Sequence, residues 1–237
     1  MSLGDARRTH DDLYLVESEF KVKNSFKLIS EHIPETTSSI LDIGCSNGSL
    51  ISYLMSVLPQ HVQFTGVDIH QALLEKAAQN CPRADFVSGD VASDGFQDSV
   101  GNYDLVILAG VHTIFDDCDS YLDNCVSCVA PGGSLFIFGS MNPNPFDVIT
   151  RVRPAGSKEW ERGFNRPSLA TMVSELERRN FCCDVVPFDI DFDLNESADA
   201  MRSYSIRVVD KDGAIKRILR NGLEQFATQY LLKARLV

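Results

Sequence analysis

The chain has 237 residues, of which 44% are hydrophobic and 23% are charged, and its formal net charge is −11. This composition is typical of one globular domain with a full core, and it excludes intrinsic disorder, which combines low hydrophobicity with high net charge. No stretch approaches the roughly 18 uninterrupted apolar residues of a transmembrane helix, so we expect no membrane partner. An acidic surface repels polyanions, so we also expect no nucleic-acid partner.

The cysteines and the N-terminus bear on the compartment. Seven cysteines, an odd number, are scattered along the chain. The basic residues near the N-terminus are not followed by the apolar stretch of a secretory signal, so we expect a protein of the reducing cytoplasm. Cys125 and Cys128 have the spacing of metal ligands, but no second pair has that spacing, so we expect them to pack in the core and no metal to be bound. The sequence does not predict the oligomeric state.

The first 140 residues alternate short apolar strands with helical segments. An amphipathic segment over about 11–32 comes first and ends near Pro34. The strands that follow are predicted at 39–44, 62–69, 84–88, 103–109 and 134–138, and the helices at 50–58, 71–80 and 120–130. Pro131-Gly132-Gly133 is predicted to end the last of these helices and to form a turn. Strands and helices at this spacing form βαβ units, which build a parallel sheet.

The pattern changes after residue 140. Residues 141–166 are rich in Pro, Asn and Arg and show little periodicity, so we predict a long insertion, a kind of segment that is often functional in compact domains. A helix at 169–180 and a strand at 183–190 follow. The turn Asp210-Lys211-Asp212-Gly213 predicts a hairpin with strands at 204–209 and 214–219. A last strand is predicted at 230–237.

The segment Asp42-Ile43-Gly44-Cys45-Ser46-Asn47-Gly48 joins the first strand to a helix. Gly44 and Gly48 allow the backbone to approach a ligand closely and to adopt dihedral angles that other residues avoid. The helix that follows offers unpaired N–H groups to a polar ligand. A dinucleotide fingerprint would have glycine at positions 46 and 49, where serines stand, and this disfavours a dehydrogenase.

This segment resembles the first motif of class I S-adenosylmethionine-dependent methyltransferases, with Ser46 where that family most often has glycine. Three later segments follow in the family's order: Val67-Asp68-Ile69, Gly89-Asp90-Val91 and Leu108 to Ile114. The resemblance covers about residues 36–140. It implies an enzyme of the α/β class, with a doubly wound, Rossmann-like, mostly parallel seven-stranded sheet, helices on both faces and an antiparallel last strand. It also implies that S-adenosyl-L-methionine is the cofactor.

The same resemblance implies roles for individual residues. Asp68 would accept hydrogen bonds from the ribose diol, and Ile69 would pack on the adenine. Asp90 would accept a hydrogen bond from the adenine amino group, and the backbone N–H of Val91 would meet a ring nitrogen. The remaining residues that we expect at the cofactor are Asp42, Gly44, Cys45, Ser46, Gly48 and Ala109.

His112 is the candidate catalytic residue. It matches the first histidine of a stretch that many small-molecule methyltransferases have after the fourth strand, so we predict a proton acceptor or a ligand contact. Packing is the alternative for a single histidine. Asp116 and Asp117 follow closely, and they either orient His112 or are turn-forming surface acids.

The insertion contains the only markedly basic patch of the chain, formed by Arg151, Arg153, Lys158, Arg162 and Arg166. We hypothesise that Arg151 and Arg153 bind a carboxylate or phosphate of the acceptor, and that Trp160 stacks on a sugar or ring. The alternative is a solvated loop that pairs with the Asp-rich part of the chain. The segment 153–165 is also similar to methyltransferases of bacterial surface-glycan pathways, which implies a glycan precursor as acceptor.

We therefore predict a single methyltransferase domain over 1–237 that acts on a small-molecule or glycan-precursor acceptor. Its parts are a helical cap at 11–35, a cofactor-binding core at 36–140, a substrate-side insertion with a helix at 141–180 and C-terminal strands at 181–237. Two alternatives remain: a non-catalytic sensor or assembly protein that binds S-adenosylmethionine on the same fold, and a dehydrogenase.

Overall fold

The computed structural model describes residues 23–153, 155–190, 192–196, 203–222 and 225–237. Helix α1 (Asn24–Glu31) belongs to the predicted N-terminal cap and buries Phe26 and Ile29. The remainder of the predicted amphipathic segment, residues 11–22, lies outside the described residues.

A large sheet forms the centre of the fold. The described strands are β1 (Ser39–Ile43), β2 (Gln63–Asp68), β3 (Asp85–Ser88), β4 (Tyr103–Ala109), β5 (Val129–Ser140), β6 (Arg151–Val152), β7 (Glu161–Arg162), β8 (Phe181–Phe188), β9 (Tyr204–Val209), β10 (Ile215–Arg220), β11 (Phe226–Ala227) and β12 (Gln229–Leu236). Seven of them form the central sheet in the order β3-β2-β1-β4-β5-β12-β8. Strands β1 to β5 are parallel, and β12 is antiparallel to both of its neighbours.

Helices cover both faces of this sheet. They are α1, α2 (Ser49–Val57), α3 (Gln71–Asn80), α4 (Phe96–Val100), α5 (Asp119–Ser127) and α6 (Leu169–Glu177), and a 3-10 turn spans Val111–Ile114. Successive side chains of a strand point to opposite faces. Ile40 and Ile107 accordingly pack in the layer with α1, α2 and α3, whereas Leu41 and Leu108 pack in the layer with α4, α5 and α6. This arrangement confirms the predicted fold class.

The prediction for Pro131-Gly132-Gly133 is wrong. Helix α5 ends at Ser127, and β5 begins at Val129, so the Pro-Gly-Gly segment lies within the strand. The register between β4 and β5 shifts between Tyr103 and Leu105, and Gly132 has a φ of 78° at this irregularity. Pairing with a central strand therefore overrides the local turn signal, because a bulge absorbs the extra residues.

The insertion contains a short antiparallel ribbon, formed by residues 148–152 and 161–166. Arg151 pairs with Arg162 and Val152 with Glu161. The predicted hairpin between β9 and β10 is confirmed, but with β11 it forms a separate three-stranded sheet. Gln225 links this sheet to the ribbon, because its Nε2 donates a hydrogen bond to Phe164 O at 3.1 Å.

Two sequence predictions concern the chain as a whole. None of the helices within the described residues has the length and apolar character needed to span a bilayer. Cys125 and Cys128 are fully buried in the layer around α5, which confirms that they pack in the core. All seven cysteines are free thiols.

Candidate functional site

The carboxyl ends of four neighbouring parallel strands bring the predicted cofactor residues to one edge of the sheet. Gly44 follows β1, Asp68 ends β2, Asp90 follows β3 and Ala109 ends β4, and these strands are adjacent in the order β3-β2-β1-β4. Open α/β sheets bind their ligands at this edge. Residues that are far apart in the sequence are therefore close together in the structure, because the strands that they follow are parallel neighbours.

The loop after β1 has the backbone that its glycines predict. Gly44 and Gly48 have φ angles of 77° and 80°. The N–H groups of Gly44 and Cys45 both donate to Val67 O, at 2.7 and 3.0 Å, and this anchors the loop to β2. Ser46 also has a positive φ, 52°. That conformation costs an L-residue roughly 1–2 kcal/mol, and Ser46 stands where the family most often has glycine.

Asp68 is held in place by two backbone N–H groups. Its Oδ2 accepts a hydrogen bond from Ser46 N at 2.9 Å, and its Oδ1 accepts one from His70 N at 3.0 Å. The residue is only 9% exposed. An ionised carboxylate offers about four acceptor positions, so two positions remain for a ligand. Ile69 beside it is 59% exposed, which leaves an apolar surface next to the carboxylate.

Asp42 is buried on β1 and interacts electrostatically with Asp68. Burial, and after it the negative charge of Asp68, raises the pKa of Asp42 to about 7. Burial also raises the pKa of the Cys45 thiol far above its usual range, with the charges of Asp42 and Asp68 adding to the effect. Cys45 is therefore a neutral thiol at physiological pH and not a nucleophile.

Asp90 and Val91 lie after β3. Asp90 is exposed, and its Oδ1 accepts a hydrogen bond from Ala92 N at 2.9 Å, which orients the carboxylate. Val91 is buried, and its carbonyl accepts a hydrogen bond from Asn124 Nδ2 at 2.8 Å. The segment is thus fixed to α5 while one carboxylate oxygen of Asp90 stays open to solvent or a ligand.

His112 is buried in the 3-10 turn, with 1% of its surface exposed. Its Nε2 lies 3.2 Å from Ser140 O. A carbonyl can only accept, so Nε2 carries the proton and Nδ1 is the unprotonated nitrogen of a neutral ring. Burial lowers the pKa of His112 to about 4. Nδ1 is buried and has no hydrogen-bond partner within the described part of the chain.

Asp116, in the loop after the 3-10 turn, accepts three contacts from the insertion. Arg151 Nη2 lies 2.8 Å and Arg162 Nε 3.3 Å from its Oδ2, and Asn165 Nδ2 donates to its Oδ1 at 2.9 Å. The hydrogen bond from Asn165, followed by that from Arg151, lowers the pKa of Asp116. Asp116 therefore holds the insertion rather than orienting His112, and Arg151 pairs with the Asp-rich part of the chain.

Asn165 is almost completely buried and ties the insertion to the 3-10 turn. Its backbone N–H donates to Thr113 O at 2.7 Å, and its Nδ2 also donates to Phe115 O at 2.7 Å. Its Oδ1 accepts a hydrogen bond from Thr150 N at 2.8 Å. The insertion is in this way fixed beside the carboxyl end of β4.

Arg153 and Trp160 lie at the outer end of the ribbon. The guanidinium carbon of Arg153 is 4.7 Å from the centroid of the Trp160 ring, which is a cation–π contact. Both side chains are exposed, and Trp160 is 62% exposed.

Comparison with known proteins finds similarity to a methyltransferase domain and to individual methyltransferases. Residues 40–133 match the family described as a methyltransferase domain. The chain is 26% identical over 166 residues, or 69% of its length, to phthiotriol/phenolphthiotriol dimycocerosates methyltransferase 1 of Mycobacterium ulcerans. It is 32% identical over 116 residues, or 46% of its length, to ribosomal RNA small subunit methyltransferase C of Citrobacter koseri. The YcgJ protein of Bacillus subtilis shares the fold at 12% identity, with a TM-score of 0.60 over 90% of this chain and 98% of that one.

The family match begins in β1 and ends within β5, so it covers the glycine loop and the ends of all four strands. Residues 40–133 are thus similar to the methyltransferase domain family, and the chain has the Rossmann-like fold of class I S-adenosylmethionine-dependent methyltransferases. The chain spans 54% of the length of the Mycobacterium relative and 33% of the length of the Citrobacter relative.

Sequence reasoning did not find two residues that shape this candidate site. Asn165 lies in an irregular segment with no motif, so its four hydrogen bonds had no sequence signal. Val111 packs against the glycine loop, where an added Cβ on Gly44 would lie 2.3 Å from its Cγ2. The hydrophobic character of position 111 was visible in the sequence, but its partner was not.

Proposed function

We propose that this protein transfers the methyl group of S-adenosyl-L-methionine to a small-molecule acceptor. The observation that carries the proposal is the carboxylate of Asp68, which the N–H groups of Ser46 and His70 orient and which keeps acceptor positions for a ribose diol. The open face of Ile69 beside it suits the adenine. These features fit the cofactor that the family uses.

The other residues that we propose to hold the cofactor are Asp42, Gly44, Cys45, Ser46, Gly48, Asp90, Val91 and Ala109. When bound, the cofactor supplies a sulfonium methyl group that a nucleophile displaces in line. The chain contributes mainly position and orientation, which can account for as much as ~7–11 kcal/mol of barrier lowering.

Replacing Asp68 with asparagine should weaken binding of S-adenosylmethionine by about ten- to a hundredfold. The amide removes the charge and turns a donor toward a backbone N–H, and a hydrogen bond to a charged group contributes about 1.5–3 kcal/mol. Calorimetry with S-adenosylmethionine, S-adenosylhomocysteine and NAD measures the effect. Asp85→Asn is the control, because Asp85 is exposed at the opposite end of β3.

Wild-type affinity for NAD but not for either S-adenosyl compound would contradict the proposal and favour a dehydrogenase. Tight cofactor binding without transfer of a labelled methyl group to a panel of sugar acids and aromatic acids would favour the non-catalytic alternative.

We also propose His112 as the proton acceptor, acting through the Nδ1 that no described residue satisfies. A base with a pKa of about 4 is already deprotonated at neutral pH. The titration of His112 should therefore leave kcat unchanged from pH 5 to 8, and kcat should fall only as the pH drops through about 4. His112→Gln should lower kcat about a hundredfold, at the weak end of acid–base effects, with an unchanged Kd for the cofactor. A turnover profile with an inflection near pH 6.5 that His112→Gln removes would contradict the buried neutral state.

The acceptor is proposed to be an acidic small molecule or glycan precursor that meets the insertion. The basic residues of this segment support an anionic group, and the net charge of −11 disfavours a polyanion such as the RNA named for the Citrobacter relative. Arg151 is one of the three predicted substrate residues, but its guanidinium is engaged by Asp116. We assign Arg151 to holding the ribbon, and Arg153 and Trp160 to the acceptor.

A further inference from the structure

Two arginines of the insertion ribbon share one face, and a third, Arg153, follows the end of β6. Side chains alternate along a strand, and directly paired residues of two strands share a face. The pair Arg151 and Arg162 therefore defines one face of the ribbon, and Arg153 and Trp160, which follow β6 and precede β7, contact each other beyond its outer end. Because Arg151 and Arg162 both contact Asp116, this face is directed toward the loop that follows β4. Arg153 lies two residues farther along the chain, just after the end of β6.

The arginines differ in what they contact. Arg151 and Arg162 share the carboxylate of Asp116. Arg153 contacts the ring of Trp160, and within the described ranges no carboxylate lies at ion-pair distance from it. Stacking on an aromatic face fixes the plane of a guanidinium and leaves its N–H edge available, and that edge matches a carboxylate or phosphate in a two-pronged hydrogen bond.

We propose that Arg153 and Trp160 form the site that recognises the anionic group of a cyclic acceptor, either a sugar phosphate or a sugar carboxylate. The guanidinium edge of Arg153 binds the anion, and the exposed part of the Trp160 ring packs on the sugar. This inference names the substrate class of the proposed function and rests on it. Arg151 and Arg162 hold the ribbon against Asp116 and do not bind the acceptor.

The sequence contains a single tryptophan, so the intrinsic fluorescence excited at 295 nm reports on Trp160 alone. Glucose 6-phosphate, glucuronate, glucose and inorganic phosphate are titrated into the full chain in the absence of methyl donor. Glucose 6-phosphate or glucuronate should change the emission saturably, and which of the two acts identifies the anion. Glucose should give no change, and inorganic phosphate should bind at least tenfold more weakly than the active sugar.

Variants locate the response. Arg153→Ala should weaken binding of the active sugar at least tenfold. Arg153→Lys should give an intermediate loss, because lysine keeps the positive charge but cannot form the two-pronged hydrogen bond. Lys158→Ala is the matched control, because it removes one positive charge from an exposed position of the same insertion, and it should stay within about threefold of wild type. Each variant's thermal midpoint is measured, and a midpoint unchanged from wild type is expected because these side chains are exposed.

The inference is overturned if neither sugar acid gives a saturable response, if glucose or phosphate alone reproduces it, or if Lys158→Ala and Arg153→Ala lose binding equally. Because the titration contains no donor, its outcome is independent of whether S-adenosylmethionine binds. A negative titration would therefore refute the acceptor site without refuting the proposed methyl transfer.

Discussion

Replacing Gly44 with alanine is expected to destabilise the protein by about 2–5 kcal/mol and to abolish measurable binding of S-adenosylhomocysteine. Gly44 has a φ of 77°, and an L-residue there is strained by roughly 1–2 kcal/mol. The new Cβ would also lie 2.3 Å from Cγ2 of Val111. Val111 begins the 3-10 turn that Asn165 fixes to the insertion, so the overlap is not relieved cheaply, and overpacking typically costs about 1–3 kcal/mol.

Gly110→Ala is the matched control for this prediction. Gly110 has a similar φ of 85° and belongs to the same edge of the sheet, but nothing lies within 4 Å of an added Cβ. It should show only the backbone strain. Urea denaturation and calorimetry measure both variants. Equal losses of stability would show that the contact with Val111 contributes nothing, and a stable Gly44→Ala that still binds the cofactor would refute the assignment of the loop.

The stability of the wild-type protein relative to Asp42→Asn is expected to fall as the pH rises from 5 to 7. The folded-state pKa of Asp42 is about 7, against an ordinary value of 3.8. The folded protein therefore keeps a proton that the unfolded chain loses, so the stabilisation is complete below pH 4 and is lost as the pH approaches 7. The slope of the difference approaches at most about 1.4 kcal/mol per pH unit, and above pH 7 it levels off.

Urea denaturation of both proteins at pH 5, 6, 7 and 8 measures this dependence. Asp104→Asn serves as the control of opposite sign. Hydrogen bonds from Ser38 lower the pKa of Asp104, so its contribution is lost only at acidic pH and adds no slope between pH 5 and 8. A constant difference between wild type and Asp42→Asn over this range would mean that Asp42 is ionised throughout.

The sequence predicted the glycine loop and the carboxylate at the end of β2 because the signals for both are local. The positive φ angles of Gly44 and Gly48 and the carboxylate at the end of β2 follow from residues within one strand, turn and helix. The alternation of apolar strands and helices was likewise sufficient for the order of the strands up to β4, although it did not predict helix α4 between β3 and β4. These features depend on near neighbours in the chain, and near neighbours are what a sequence pattern records.

The contacts of the insertion required the tertiary structure. Arg151 and Arg153 are two residues apart and chemically identical, so no sequence rule separates the one that pairs with Asp116 from the one that stacks on Trp160. The sequence also left open whether His112 is exposed, and only the packing of the 3-10 turn shows it buried with its Nε2 bonded to Ser140.

The strand β5 shows the same division. Pro131-Gly132-Gly133 signals a turn locally, yet pairing with β4 extends the strand through it. The sequence by itself determined the fold class, the glycine loop and the carboxylate at the end of β2. The tertiary structure alone decided the start of β5, the burial of His112 and the partners of each arginine. The reason is physical: backbone preference and periodicity are set by adjacent residues, whereas burial and ion pairing depend on which distant segments the folded chain brings into contact.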